Sequence, residues 1–292
     1  TFSVAWAKNQ KQEVVDIVKK LLNSPGFNQG LTVSVQSLDF NVLENIKRQN
    51  LESSKIEEIF DLCDKSNIPI YTEIILGLPG ETINTWKENF WKLFRSGNHT
   101  GVTIFQAQML ENAEMNLSQR KAFQIESQIV YDYMSGSYNE DVLKEGIEII
   151  ISTKDMPYET MLDAEVFSWY INTFHINGVS TFLSRFVYKF LKIDYGVFYE
   201  KLLSFLKQDN WFCKEMTEIR MYYDNWMSKG QIDHNNIGNV EIHGWNLIHR
   251  TVINIHFQNK YNHVFSLLYK FMEETFCLDN NIKLIYSATS AS

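Results

Sequence analysis

The sequence is short of cysteine. Three thiols in 292 residues, Cys63, Cys213 and Cys277, are odd in number and far apart. That excludes a disulfide framework of the secreted kind and suits a reducing compartment, where free cysteines are usually buried. Long apolar runs are lacking too. No stretch approaches the roughly 20 residues a spanning helix requires, and the opening TFSVAWAKNQKQE has no basic-then-apolar signal-peptide plan. A soluble, cytoplasmic chain is therefore expected. Positive charge is in deficit: a formal net charge of -8 gives no general attraction to phosphate backbones or anionic lipids, so neither nucleic acid nor membrane is an expected partner. What is present is a globular composition, 45% hydrophobic and 21% charged, unlike that of disordered chains. The chain starts on Thr1, in mid-pattern, as a piece of a longer protein would.

Apolar periodicity organises the first third. KNQKQEVVDIVKKLLN, residues 8–23, has helical spacing and stops at Ser24-Pro25-Gly26. LTVSVQ, 31–36, alternates as a strand. Asp39 is placed to cap a helix reaching Arg48, and Ser53 to cap a second. IPIYTEIILG, 68–77, reads as a strand ending in a Gly-Leu-Pro-Gly turn, ETINTWKENFWKLFR as an amphipathic helix, and GVTIFQAQ, 101–108, as a third strand. Strands alternating with helices predict parallel crossover units, an α/β layer or barrel arc. Beyond about Glu111 aromatics crowd in and long amphipathic stretches predict a mostly helical region, with strands only at IEIIIST, 147–153, and near IKLIYS. Helices are expected around 157–176, 178–191, 195–208, 212–228 and 244–276.

The strand faces carry the first chemical signal. One face holds Thr32, Ser34 and Gln36 on the first strand, and Tyr71, Glu73 and Ile75 on the second. Ile104, Gln106 and Gln108 are expected to continue it on the third. Burying a lone amide costs roughly 1–3 kcal/mol and an unpaired carboxylate much more, so this face is expected to line a wet or ligand-filled cavity. A two-layer sheet with one solvated face is the alternative. The turn GLPGE, 77–81, has neither the G-x-G-x-x-G nor the G-x-x-x-x-G-K-[ST] spacing of phosphate loops. It offers a glycine backbone open to close approach at Gly77, a rigid Pro79 and a helix start.

LTVSVQSLD, then IKRQN, then YTEIILGLPGET, in this order and at these distances, resemble the later strands of the radical S-adenosylmethionine (SAM) barrel. WAKNQKQ and EVFSWYINTFHINGVSTFLSRF are further similar to the subgroup that carries an N-terminal cobalamin-binding domain. The resemblance implies an α/β fold, a partial (β/α) TIM-like barrel over residues 1–112, followed by a mainly α-helical C-terminal domain, 113–292. It also implies roles for particular residues. Gln36, at a strand end, Arg48, twelve positions on, and Glu73 stand where the family contacts SAM. Arg48 is suited to the methionine carboxylate, Gln36 to the amino-acid part or ribose, and Glu73 to a hydroxyl or ammonium. Ser34 and Gly77 lie beside them. QMLENAEM, 108–115, is similar to the stretch that borders the adenine, which nominates Leu110, although Glu111 replaces the usual proline. The alternative is a helix-terminal cation at Arg48 and a solvated turn residue at Gln36.

The family holds its [4Fe-4S] cluster with C-x-x-x-C-x-x-C, and this chain has no such run. The cluster and cobalamin are therefore expected from a missing N-terminal barrel half and cobalamin domain, in the same polypeptide or a second chain. The substrate would be a small molecule or peptide, and radical chemistry such as methyl transfer the outcome. No catalytic residue or metal ligand is assigned. Two rivals stand: a non-catalytic scaffold that kept the fold, and an iron-independent α/β enzyme using SAM or a nucleotide. His249, His256 and His263 repeat every seven residues on an expected helix. Neighbours roughly 10 Å apart are too distant for one metal, so a surface row is expected. His175 is expected to serve a helix end. Phe167, Trp169, Tyr170, Phe174, Phe182, Phe186, Tyr188 and Phe190 are expected to form an aromatic core.

Overall fold

The computed structural model describes residues 12–22, 30–48, 53–131, 146–230, 235–237, 240–242 and 249–276. The first third follows the predicted alternation: α1 (Gln12–Leu22), β1 (Leu31–Gln36), α2 (Phe40–Asn45), α3 (Ser53–Lys65), β2 (Ile70–Leu76), α4 (Ile83–Arg95) and β3 (Val102–Gln106). The three strands form one parallel sheet in sequential order. That order, with a helix in each crossover, is what a segment of a singly wound barrel requires. Local chemistry sets the helix ends. Asp39 accepts from the Val42 amide at 3.0 Å to start α2. Thr82 and Thr85 exchange side-chain and backbone hydrogen bonds to start α4, and Gly97, with φ +90°, follows its end.

Leu31, Val33, Val35, Ile74, Leu76 and Val102 are buried on the helix-covered face of the sheet. α4 is packed from both sides. Trp86 Nε1 donates to Ser168 Oγ at 3.0 Å. Phe90 meets Phe167 edge-on at 5.9 Å, Trp91 stacks on Tyr199 at 5.8 Å, and Phe94 stacks on His175 at 3.6 Å. The partners belong to α6 (Tyr158–Ile171), the π turn Asn172–Ile176 that prolongs it, and α8 (Tyr195–Leu206). One helix therefore joins the sheet to the helical region, and each favourable ring pair adds about 0.5–1.5 kcal/mol to its burial.

Between β3 and α6 the chain does something the periodicity did not show. After a π turn, Met115–Gln119, and the single turn α5 (Arg120–Ala122), β4 (Glu126–Tyr131) pairs antiparallel with β5 (Gly146–Ser152). The residues after β3 continue onto this hairpin: Met109 N donates to Glu148 O and Ile150 N to Ala107 O, each at 2.8 Å. The expected strand at 147–153 is present, and its partner is the missed element.

The remaining helices are α7 (Thr181–Phe186), with a π turn over Val187–Leu191, α9 (Asn210–Lys229), α10 (Arg250–Phe257) and α11 (Tyr261–Phe276). Short strands β6 (Asn235–Ile237) and β7 (Val240–Ile242) precede the last two helices. The single helix expected at 244–276 is broken at Asn259, whose φ is +50°. The histidine row is broken with it. His256 Nδ1 lies 2.8 Å from the Tyr261 hydroxyl, and His263 Nε2 lies 3.0 Å from Asp209 Oδ2. The aromatic core is real at Phe167, Trp169, Tyr170 and Phe174, all buried. Phe182, Tyr188 and Phe190 are corrections, since they lie exposed on the α7 segment. The expected strand at IKLIYS lies outside the described residues, as does Cys277. No helix among the described residues is long and apolar enough to cross a membrane.

Phe90, fully buried between sheet and helices, measures this junction. Phe90→Ala is expected to destabilise the chain by about 3–5 kcal/mol in denaturant titrations. A loss below about 1 kcal/mol would show that α4 does not join the two regions.

Candidate functional site

The sheet register decides which side chains share a face. Ser34 pairs with Glu73 and Thr32 with Tyr71. Glu73 pairs in turn with Thr103, and Ile75 with Phe105. Residues opposite one another in a parallel pair point the same way, so Thr32, Ser34, Tyr71, Glu73, Thr103 and Phe105 form the open face. Ile104 and Gln106 do not. They pair with Ile74 and Leu76 on the covered face, which corrects the expected third-strand assignment by one residue. Gln106 is buried and donates to Ile150 O at 2.5 Å. Gln108, past the strand end, makes a bridge to Ile149. The Gln106 side chain and the backbone around Gln108 stitch the hairpin to the sheet.

On the open face Ser34 Oγ donates to Glu73 Oε2. Both residues are half-buried, so a carboxylate stands at the surface of the sheet with one hydroxyl partner. At the end of β1 the ladder slips: the register shifts between Ser34 and Gln36, and Gln36 takes φ +57°. Such a bulge bends the strand and re-aims its side chains. Gln36 is buried at that bend, opposite Ile74.

The turn after β2 is held from beneath. Gly77, with φ +90°, donates its amide to Glu81 Oε2 at 2.9 Å. Glu81 Oε1 accepts from Asn89 Nδ2 at 3.4 Å. The same asparagine accepts the Leu38 amide at 2.7 Å through Oδ1. Asn89 therefore bridges the ends of β1 and β2. From the other side Asn45 Nδ2 donates to Pro79 O at 3.0 Å, and Asn45 O accepts from Gln119 Nε2 at 2.5 Å. Gly80 has φ +85°, and a Cβ there would lie 2.3 Å from Asn45 Nδ2. Glycine is demanded by both the backbone and the neighbour.

Glu81 is fully buried. Burial pushes its carboxyl up to about 8, although the Gly77 and Leu78 amides and Asn89 pull it partly back, while the Asp39 charge raises it. Sequence reasoning took Glu81 for a helix start and passed over Asn89 and Asn45. The available signal was a lone amide inside the apolar run NFWKLF.

The six nominated residues are not all brought together. Ser34 and Glu73 are bonded, and Gln36 and Gly77 sit at adjoining strand ends. α2 stops at Asn45, before the expected Arg48, which lies beyond the helix and is exposed. Leu110 is also exposed. The Lys47–Glu114 ion pair, 2.5 Å, ties their two segments, but no ion pair among the described residues joins Arg48 to Glu73. The donor set nevertheless matches SAM by type: a carboxylate, a guanidinium and an amide for a ligand bearing an ammonium, a carboxylate and hydroxyls. The described residues do not fit an iron cluster. Cys63 is buried, which pushes its thiol up to about 11, Cys213 is bonded to Lys207 O, and among the described residues no three His, Cys, Asp or Glu side chains are placed to hold a metal.

No family model matches the chain. Among curated proteins it is 29% identical over 203 residues to TokK, a cobalamin-dependent radical SAM methyltransferase of Streptomyces tokunonensis. It is 27% identical over 203 residues to the 2-(S-pantetheinyl)-carbapenam-3-carboxylate methyltransferase of Streptantibioticus cattleyicolor. Each match covers 69% of this chain and 30% of the relative, so the chain spans about a third of their length. A solved structure of the radical SAM methyltransferase TsrM from Kitasatospora setae aligns with TM-score 0.39 at 12% identity, over 55% of this chain and 34% of that one. That likeness is too slight to bear on the site. Over the matched stretch the chain is similar in sequence to a cobalamin-dependent radical SAM methyltransferase and to a carbapenam methyltransferase.

The buried Glu81 has a measurable signature. Its folded pKa of about 8 stands above the ordinary 4.5, so the neutral form stabilises the fold fully below about pH 4.5, and that contribution is lost as pH rises through about 8. Glu165, also pushed up to about 8 by burial, acts with the same sign. Melting temperature should therefore fall between about pH 4.5 and 8, and Glu81→Gln should remove part of the slope. An unchanged slope in the variant would mean that Glu81 is ionised in the fold.

Proposed function

We propose that this relative of the cobalamin-dependent radical SAM methyltransferases is the part of such an enzyme that carries the later barrel strands and their SAM contacts. The observation that carries the reading is Glu73, held by Ser34 on the open face of the sheet, one step below the strand ends where Gln36 and Gly77 lie. In parallel α/β barrels reacting groups gather at that end. In this reading residues 1–112 are barrel and 113–292 a helical domain.

Glu73 receives the SAM ammonium or a ribose hydroxyl, Ser34 orients its carboxylate, and Gln36 donates to or accepts from the amino-acid part. Arg48 pairs with the methionine carboxylate, and its present exposure leaves the guanidinium open to that partner. Gly77 lets the ligand approach the backbone, and the segment at Leu110 borders the adenine. Glu81 and Asn89 touch no ligand in this scheme; they fix the two turns. In the proposed whole enzyme a [4Fe-4S] cluster would supply the electron for SAM cleavage and cobalamin would carry the methyl group, and no residue of this chain is assigned to either. Both belong to an N-terminal barrel half and cobalamin domain outside this sequence. The substrate is a small molecule or peptide, and the reaction a methyl transfer.

Titration calorimetry with SAM tests the site. Wild type is expected to bind, and Arg48→Ala and Glu73→Gln each to weaken binding by about tenfold or more. No binding by wild type indicates a scaffold that lost the chemistry. Tight binding that neither variant weakens overturns the residue assignment. Iron and sulfide analysis after anaerobic reconstitution separates the remaining readings: a stoichiometric four-iron cluster on this polypeptide would refute the proposed division of labour.

A further inference from the structure

The opposite end of the sheet has a site of its own. A cleft of about 440 Å³ opens where α4 turns into β3, between that turn and the α7 segment. The strands are five to seven residues long, so at about 3.3 Å per residue this mouth lies on the order of 20 Å from the GLPGE turn.

Its lining combines cations with flat rings. Arg185, Lys189 and Lys192 stand on one wall, all exposed, and among the described residues none of the three makes an ion pair. Arg95, also at the rim, is already satisfied: Asp194 grips it at 2.7 and 2.9 Å, and Glu88 at 2.6 Å. The positive charge left over thus belongs to the α7 segment. Tyr188 and Tyr195 lie stacked in the cleft, 4.6 Å between centroids and 21° between planes. At the base, His99 Nδ1 lies 3.1 Å from His175 Nε2, and His175 Nδ1 lies 2.6 Å from the Tyr199 hydroxyl. Burial, then the Arg185 charge, push His99 down to about 4. It is neutral at pH 7 and adds a hydrogen-bonding ring nitrogen rather than charge. This polar chain keeps the base in one geometry, while the charged wall is free to accept a counterion.

We propose that this cleft binds a small phosphate monoester carrying a flat organic group, with the phosphate on Arg185 and Lys189 and the flat group on the Tyr188 ring. Two facts favour that class. The volume exceeds what a bare phosphate fills and lies within the range of small-ligand pockets. The unopposed guanidinium and ammonium groups suit a phosphate, which guanidinium binds in bidentate fashion. A nucleic-acid strand is disfavoured by the chain's net charge of -8.

Phenyl phosphate is the probe, with phenol and inorganic phosphate as its two halves, titrated calorimetrically into the full chain. Phenyl phosphate is expected to bind one to one, about tenfold or more tighter than either half. The double variant Arg185→Ala/Lys189→Ala should weaken phenyl phosphate by about tenfold or more, and Tyr188→Ala should weaken phenyl phosphate while leaving inorganic phosphate unchanged. All substituted side chains are exposed, and circular dichroism verifies that the variants stay folded. Equal binding of phenol and phenyl phosphate, undiminished binding by the double variant, or no binding at about ten millimolar overturns the proposal. SAM binding reports on the other end of the sheet, so either reading can fail alone.

Discussion

The structure turns on a carboxyl group buried without a counter-charge. Glu81 lies beneath the turn after β2, where it takes the Gly77 amide and one hydrogen of Asn89. Asn89 in turn takes the amide of Leu38, after β1. An unpaired polar group so deep costs about 1–3 kcal/mol, and an ionised one far more, so each member holds its partner in place. Strand ends that would otherwise carry two independent loops are locked to one position on one helix. The open face, with Ser34 and Glu73, inherits its geometry from that lock.

α4 carries Asn89 on one side and a run of rings on the other. Trp86, Phe90, Trp91 and Phe94 are all buried, and their partners come from α6, its π turn and α8. The helix therefore couples the strand-end turns to the wall of the cleft at the other end, because Phe94 stacks on His175 and His175 bonds His99. Two mouths with different chemistry, one lined by a carboxylate and amides and one by cations and tyrosines, are held by the same thirteen-residue helix.

Much of the first third was legible along the chain. Alternation in LTVSVQ, the Asp39 cap and the glycine-proline turn each act over a few residues, and each came out where expected. β3 shows the limit. GVTIFQAQ carries polar and apolar residues on both faces, so alternation does not say which face meets the helices; pairing with β2 does. The missed strand β4 has the same cause, since ESQIVY reads as a strand only once IEIIIS lies beside it. Phe182, in α7, and Phe190, in the π turn that follows at Val187–Leu191, look like core by type, yet both lie exposed. The histidine row failed because one residue, Asn259, adopts a left-handed conformation.

By itself, then, the sequence determined which segments are strands and helices in the first third, the GLPGE turn, the absence of a cluster-binding cysteine run, and the types of residue offered to a ligand. These depend on neighbours a few positions apart or on composition. Tertiary structure alone decided that Gln106 lies on the covered face, that Glu81 is sealed and its carboxyl pushed upward, that Arg48 remains exposed, and that Arg185 and Lys189 share a cleft with Tyr188. Each depends on groups distant in sequence competing for the same buried space, and desolvation, which settles that competition, acts only once the chain has closed around them.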